Sequence, residues 1–167
     1  MLTLLPDFIF STFDKVTVDF LKENNINGII LDIDNTLEPY EHPVPGEHVK
    51  LWLSSLKAAG IGAAFVSNNN KERVELFNRE LGLPAFYKAG KPFKKSVLLA
   101  MEKIGSSKQT TLLMGDQVFT DVWAAKNAGV LSALVPPIND KKDLFTKFKR
   151  LLEKPILKSY NKRKEIL

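Results

Sequence analysis

Seven polar residues stand at or just beyond the ends of apolar runs: Asp32 and Asp34 in GIILDID, Ser67 and Asn68 after IGAAFV, Lys91 in KAGKP, and Asp116 with Asp121 in TTLLMGDQVFTD. Burying one unpartnered carboxylate is costly and burying two is worse, so a pair inside an apolar run needs a compensating partner. Asp32 and Asp34 are two residues apart, which on an extended backbone turns both to one side. Carboxylates gathered there with Asp116 and Asp121 repel one another unless a cation neutralises them. Oxygen ligands without His or Cys suit Mg2+. Lys91 and Ser67 supply what a phosphate group requires, a point charge and a hydroxyl donor. A metal-bound carboxylate facing such a phosphate can attack phosphorus and form an aspartyl-phosphate. A neighbouring carboxyl can protonate the leaving oxygen and then deprotonate the water that hydrolyses the intermediate.

These residues span 90 positions, so only a tertiary arrangement can unite them. Short apolar runs at 28–34, 61–67, 85–89, 110–116 and 130–136 read as strands covered on both faces. Helical patterns lie between them at 46–59, 70–81, 92–104 and 118–128, each stopped at or near a glycine. Asn69 or Asn70 can cap the second of these helices, and Pro92 suits the first turn of the third. Residues 7–25 also look helical. Repeated strand–helix–strand units predict an α/β fold: a doubly wound parallel sheet in three α/β/α layers. Ligands of such sheets bind beyond the carboxyl ends of the strands, where all seven polar residues fall.

Composition agrees with a single domain over residues 1–167. Cysteine is absent, which excludes disulfides and thiolate metal sites. The start MLTLLPDFIFSTFDK does not read as a signal peptide, and no apolar run is long enough to span a membrane, so the expected location is the cytoplasm. The net charge of +5 is uneven: the tail 141–167 holds ten Lys/Arg and three Asp/Glu, a surplus of +7. Within it Leu144, Phe145, Phe148, Leu151 and Leu152 form an apolar stripe expected to pack as a last helix, leaving the lysines for another use. His42 and His48 read as surface residues of a polar loop, and Trp52 and Trp123 as core. Asp121 also suits the first turn of a helix simply as a favourable charge.

The quoted segments resemble, in order and spacing, the four motifs of the haloacid-dehalogenase (HAD) phosphatase superfamily: DIDNT, VSNNN, GKP and GDQVFTD, over residues 28 to 135. With the basic tail, DNTL, VSNNN, KP and GDQ…TDV resemble its YqeG family. The resemblance implies Asp32 as nucleophile and metal ligand, and Asp34 as general acid/base that also offers its carbonyl to Mg2+. It implies Thr36 as the residue that fixes the turn and orients Asp34. Ser67, Asn68 (through its backbone amide) and Lys91 would hold the phosphoryl group, and Asp116 and Asp121 would bind metal. Asn35 stands where many relatives have glycine; asparagine tolerates left-handed backbone, so the departure is mild.

About a dozen residues separate DNTL from the next helix and roughly twenty separate SNNN from GKP, which leaves no room for a cap domain. The resemblance thus implies the capless subclass III. An open site suits a phosphate displayed on something large. The basic tail suits peripheral contact with an anionic membrane, and a related branch acts on phosphatidylglycerophosphate, so a lipid head group is the expected substrate. A phosphoprotein or a nucleic-acid end is the alternative carrier, although no aromatic-rich RNA-binding motif accompanies the charge. A receiver-type phospho-acceptor domain is the competing class. Receivers carry the acceptor aspartate on the third strand and the acidic pair on the first, which fits this chain less well.

Overall fold

The computed structural model describes residues 4–139 and 144–164, with the side chains of 144–150 and 162–164 outside the description. Six strands form one sheet: β1 (Phe8–Ile9), β2 (Gly28–Leu31), β3 (Gly62–Val66), β4 (Ala85–Phe86), β5 (Thr111–Gly115) and β6 (Leu131–Leu134). Their spatial order is β1-β6-β5-β2-β3-β4, and every pairing is parallel. The helices are α1 (Val18–Glu23), α2 (Glu47–Ala58), α3 (Lys71–Asn78), α4 (Lys95–Lys103), α5 (Trp123–Ala128) and α6 (Leu144–Lys164).

Strand alternation divides the core in two. Ile29, Leu31, Leu112 and Met114 face one side, where they pack with Val49, Leu53 and Leu56 of α2 and Val74 and Phe77 of α3. Ile30, Ala64, Val66 and Leu113 face the other, against Val97 and Ala100 of α4 and the alanines Ala124, Ala125 and Ala128 of α5. The fold is therefore the expected three-layer α/β/α arrangement with helices on both faces. Gly62 permits a close approach: a Cβ there would lie 2.9 Å from the Ile104 carbonyl oxygen at the end of α4. No cap domain interrupts 35–46 or 79–94. No helix among the described residues is long and apolar enough to cross a membrane.

Four expectations need correction. The segment 7–25 is not one helix: only Val18–Glu23 is α-helical, and Phe8–Ile9 pairs with β6. The open edge of β6 offers backbone partners, and the Asp7 carboxylate accepts from the Ser132 amide at 2.8 Å, a bond across 125 residues that local pattern does not reveal. Helix α4 begins at Lys95 and not at Pro92: the Leu98 amide donates to the Lys94 carbonyl at 3.0 Å, while the Pro92 carbonyl accepts from Asn127 Nδ2 at 2.9 Å. Trp123 is exposed at 36%, since Val118–Val122 forms a π-helical turn that shifts the phase of α5 and gives its inner face to alanines. In α6, Leu151 and Leu152 are exposed; the inward face is Glu153, Ile156, Leu157 and Tyr160. The Glu153 carboxylate accepts from the Val118 amide at 2.8 Å, which fixes that rotation of the helix. Leu144, Phe145 and Phe148 lie outside the described side chains.

Candidate active site

The central position of β2 brings the acidic residues together. In the sheet register Leu31 is flanked by Phe65 of β3 and Met114 of β5, so the residues beyond these three strands emerge side by side. The ladder runs one residue further, with the Asp32 amide donating to the Met114 carbonyl at 3.0 Å. The chain then turns back: Asn35 adopts φ 60° and its amide donates to the Glu38 carbonyl at 2.7 Å. Asparagine is among the few non-glycine residues that tolerate this geometry, as expected for the position.

Beyond β5 come Asp116 and then the π-helical turn carrying Asp121. Asp121 folds back under the strand end, where a Cβ on Gly115 would lie 2.1 Å from its Cγ. Glycine at 115 is thus a requirement of the site, which the sequence reading did not single out. One carboxylate oxygen each from Asp32, Asp116 and Asp121 lie within 4.8 Å of one another, and all three residues are buried. The Asp34 carboxylate is not in this group.

Lys91 reaches into the cluster from the loop after β4. Its Nζ is 2.6 Å from Asp121 Oδ1 and 3.0 Å from Asp32 Oδ1. Burial opposes the charge on Lys91, but Asp121 and Asp32 outweigh it and hold the ammonium above the usual lysine range. Burial pushes the Asp32 carboxyl up to about 7, opposed by Lys91 and reinforced by Asp121 and Asp116. One ammonium does not neutralise three carboxylates. A compact, buried, all-oxygen donor set with surplus negative charge fits a hard divalent cation.

The remaining predicted residues flank the cluster. Ser67 is buried at the end of β3, and its Oγ accepts from the Asn69 amide at 3.1 Å. The Asn68 side chain grips Lys91 from both sides: Oδ1 accepts from the Lys91 amide at 2.8 Å and Nδ2 donates to the Lys91 carbonyl at 3.0 Å. Asn70 caps α3, accepting from the Arg73 amide at 2.9 Å. Thr36 meets one part of the role expected of it: its amide donates to the Ile33 carbonyl at 3.2 Å in the turn, but its hydroxyl donates to Asp116 Oδ1 at 3.4 Å and not to Asp34. Asp34 is held instead by Asn69 Nδ2 at 2.8 Å and by Arg73 Nε at 3.0 Å, neither of which the sequence reading named for this purpose. The only sequence signal for Arg73 is its place in the first turn of the helix after VSNNN.

His42 and His48 are exposed, as expected, yet they share a partner. Glu38, buried beneath them, accepts from the Gly46 amide at 2.7 Å and lies 3.2 Å from His42 Nδ1 and 3.6 Å from His48 Nε2. This pins the loop between Asp34 and α2.

Residues 9–135 match the haloacid dehalogenase-like hydrolase family, which accounts for both the sheet and the strand-end acids. The chain belongs to this family. Similarity to one relative extends over nearly the whole hydrolase: the probable phosphatase YqeG of Bacillus subtilis is 36% identical over 162 residues, 97% of this chain and 94% of that protein. Among solved structures, the cobalt-bound deoxy-D-mannose-octulosonate 8-phosphate phosphatase of Haemophilus influenzae shares the fold with a TM-score of 0.56 at 16% identity, covering 84% of this chain and 92% of the other. A HAD-superfamily hydrolase of Ehrlichia chaffeensis superposes with a TM-score of 0.54 at 17% identity, covering 75% and 95%. The motif resemblance read from the sequence is therefore confirmed at the level of the family.

Proposed function

We propose that this hydrolase is a Mg2+-dependent phosphomonoesterase acting through an aspartyl-phosphate on Asp32. The observation that carries the reading is the convergence of the Asp32, Asp116 and Asp121 carboxylates on one point, with Lys91 against them. When bound there, Mg2+ would offset the charge of the carboxylates and draw electron density from phosphoryl oxygens. Asp32 attacks phosphorus as the bond to the leaving oxygen breaks, and Asp34 gives that oxygen a proton. Asp34 then takes a proton from water, the water attacks the acyl phosphate, and phosphate departs with the Asp32 carboxylate restored. Lys91 carries three N–H donors; two lie on Asp121 and Asp32, and the third is available to a phosphoryl oxygen. Ser67 and Asn68 complete the phosphate side.

The reading treats residues 1–167 as one catalytic domain whose basic tail, 141–167, meets an anionic membrane. The substrate is then a phosphate displayed on a lipid, such as phosphatidylglycerophosphate. The missing cap supports a large substrate, and the exposed Leu151, Leu152, Lys154 and Lys158 of α6 support surface contact.

The test is hydrolysis of p-nitrophenyl phosphate with and without chelator, followed by a comparison of lipid and soluble esters. Turnover should stop in excess chelator and return with Mg2+. Stoichiometric phosphorylation of Asp32 without turnover would favour the receiver class instead. On vesicles, Lys154→Glu with Lys158→Glu should weaken binding while leaving soluble-ester hydrolysis intact. If the intact protein neither binds anionic vesicles nor prefers the lipid, the lipid substrate is wrong and the phosphatase reading stands.

A further inference from the structure

We infer that Arg73 is a positioning residue for the proton-transferring carboxyl of Asp34, an inference that rests on the acid/base role proposed above. The two oxygens of Asp34 are held by different elements. Oδ1 accepts from Arg73 Nε at 3.0 Å, with Nη2 2.8 Å away, and Oδ2 accepts from Asn69 Nδ2 at 2.8 Å. Arg73 cannot swing aside. Its Nη1 donates to the Pro43 carbonyl at 2.9 Å, its guanidinium lies 5.4 Å from the Phe77 ring centroid, and its side chain is 9% exposed. The helix that carries it is itself started by the bond from the Arg73 amide to Asn70.

Two segments therefore meet on one carboxylate, the loop after β3 through Asn69 and the first turn of α3 through Arg73, and a third, the loop between Asp34 and α2, holds the arginine through the Pro43 carbonyl. Burying a charged pair is not in itself a source of stability, since desolvation offsets the attraction. What the arrangement does supply is orientation: Arg73 Nε on Oδ1 and Asn69 Nδ2 on Oδ2 together fix the distance and the plane of the carboxylate, while the bond from Nη1 to Pro43 holds the planar guanidinium in place. A lysine has the charge but not the fork. Asp34 must place its proton on the bridging oxygen of the ester as the phosphorus–oxygen bond breaks. A misplacement of about 1 Å in such geometry costs up to ~10²-fold in rate.

Leaving-group chemistry separates this role from others. An alkoxide departs badly without a proton, whereas p-nitrophenolate departs well without one. The value of kcat/KM reports the steps through leaving-group departure and so excludes the later attack of water. The experiment measures kcat/KM, with Mg2+ present, for a series of aryl and alkyl phosphates graded by leaving-group pKa. The enzymes compared are wild type, Asp34→Asn, Arg73→Gln and Arg73→Lys.

Asp34→Asn should steepen the fall of kcat/KM with leaving-group pKa, and Arg73→Gln should steepen it in the same sense. The gap between p-nitrophenyl and alkyl esters should widen by about 10–10²-fold in the Arg73→Gln enzyme. Arg73→Lys, which keeps the charge, should recover only part of the loss; it also carries the measurement should the glutamine variant fail to fold. Asp34→Asn combined with Arg73→Gln should be no steeper than Asp34→Asn alone. A parallel drop across the series in the Arg73 variants, with the slope unchanged, would assign Arg73 to folding or phosphate binding and overturn the inference. Full recovery by lysine would overturn it too. An unchanged slope in Asp34→Asn would remove the acid role itself, and the inference with it.

Discussion

The Lys91 ammonium and the Asp121 carboxylate form a buried pair, with Nζ 2.6 Å from Oδ1 and the two side chains 2% and 0% exposed. Lys91 comes from the loop after β4 and Asp121 from the π-helical turn after β5, thirty residues apart. The pair places a cation where a second and a third carboxylate, Asp32 and Asp116, also converge.

Removing the ammonium should therefore expose the repulsion it now offsets. Lys91→Met should lower unfolding free energy by about 3–5 kcal/mol in chelator, the usual result of stranding buried charge. Adding Mg2+ should return more stability to the variant than it adds to the wild type. Urea denaturation with and without the ion measures both. An equal Mg2+ increment in the two proteins would mean that lysine and metal do not share these carboxylates.

Asp32→Asn should abolish turnover, because an amide cannot serve as the nucleophile. It should also change how stability depends on pH. Asp32 titrates near 7 in the folded protein against an ordinary 3.8, so between about 4 and 7 the folded protein keeps a proton that the unfolded chain has lost. That contribution favours the fold at low pH and is lost as pH rises through about 7. In chelator, the stability difference between variant and wild type should move in the variant's favour from about pH 4 to 7 and level off above. Thermal unfolding across that range checks it; a constant difference would rule it out.

Gly115→Ala should damage the site without touching a charged residue. The new methyl would overlap Asp121 Cγ, so the carboxylate must move out of the cluster. Metal affinity measured by calorimetry should fall by about 10–100-fold, with destabilisation of about 1–3 kcal/mol. Unaltered affinity would show that Asp121 is dispensable to the ion.

The tail helix supplies a prediction in the opposite sense. Glu153→Ala leaves the buried Val118 amide without its acceptor and should cost about 1–3 kcal/mol. Leu151→Ser and Leu152→Ser, although they remove large apolar side chains, should each stay within about 0.5 kcal/mol of wild type. Chemical denaturation of the three variants would show whether α6 docks by this face.

The sequence by itself determined the sheet, the helices on both faces and the acidic strand ends. Those features have local signatures: an apolar run for a doubly covered strand, a 3.6-residue period for a helix, a glycine for its stop. It also located Asp32, Asp116 and Asp121 together, because a parallel sheet leaves its carboxyl ends on one edge. The tertiary structure alone decided the rest. β1 exists because β6 has an open edge, and no pattern in residues 7–9 announces a partner 125 positions away. The inward face of α6 carries Glu153, which accepts from the Val118 amide, with Ile156 and Leu157 packed beside it, against the apolar stripe the helix displays. The partners of Asp34 were likewise hidden. Arg73 and Asn69 are ordinary residues of a helix start until folding sets them against a carboxylate more than thirty residues earlier in the chain, because side-chain contacts of that range depend on register and rotamer and leave no periodic trace in sequence.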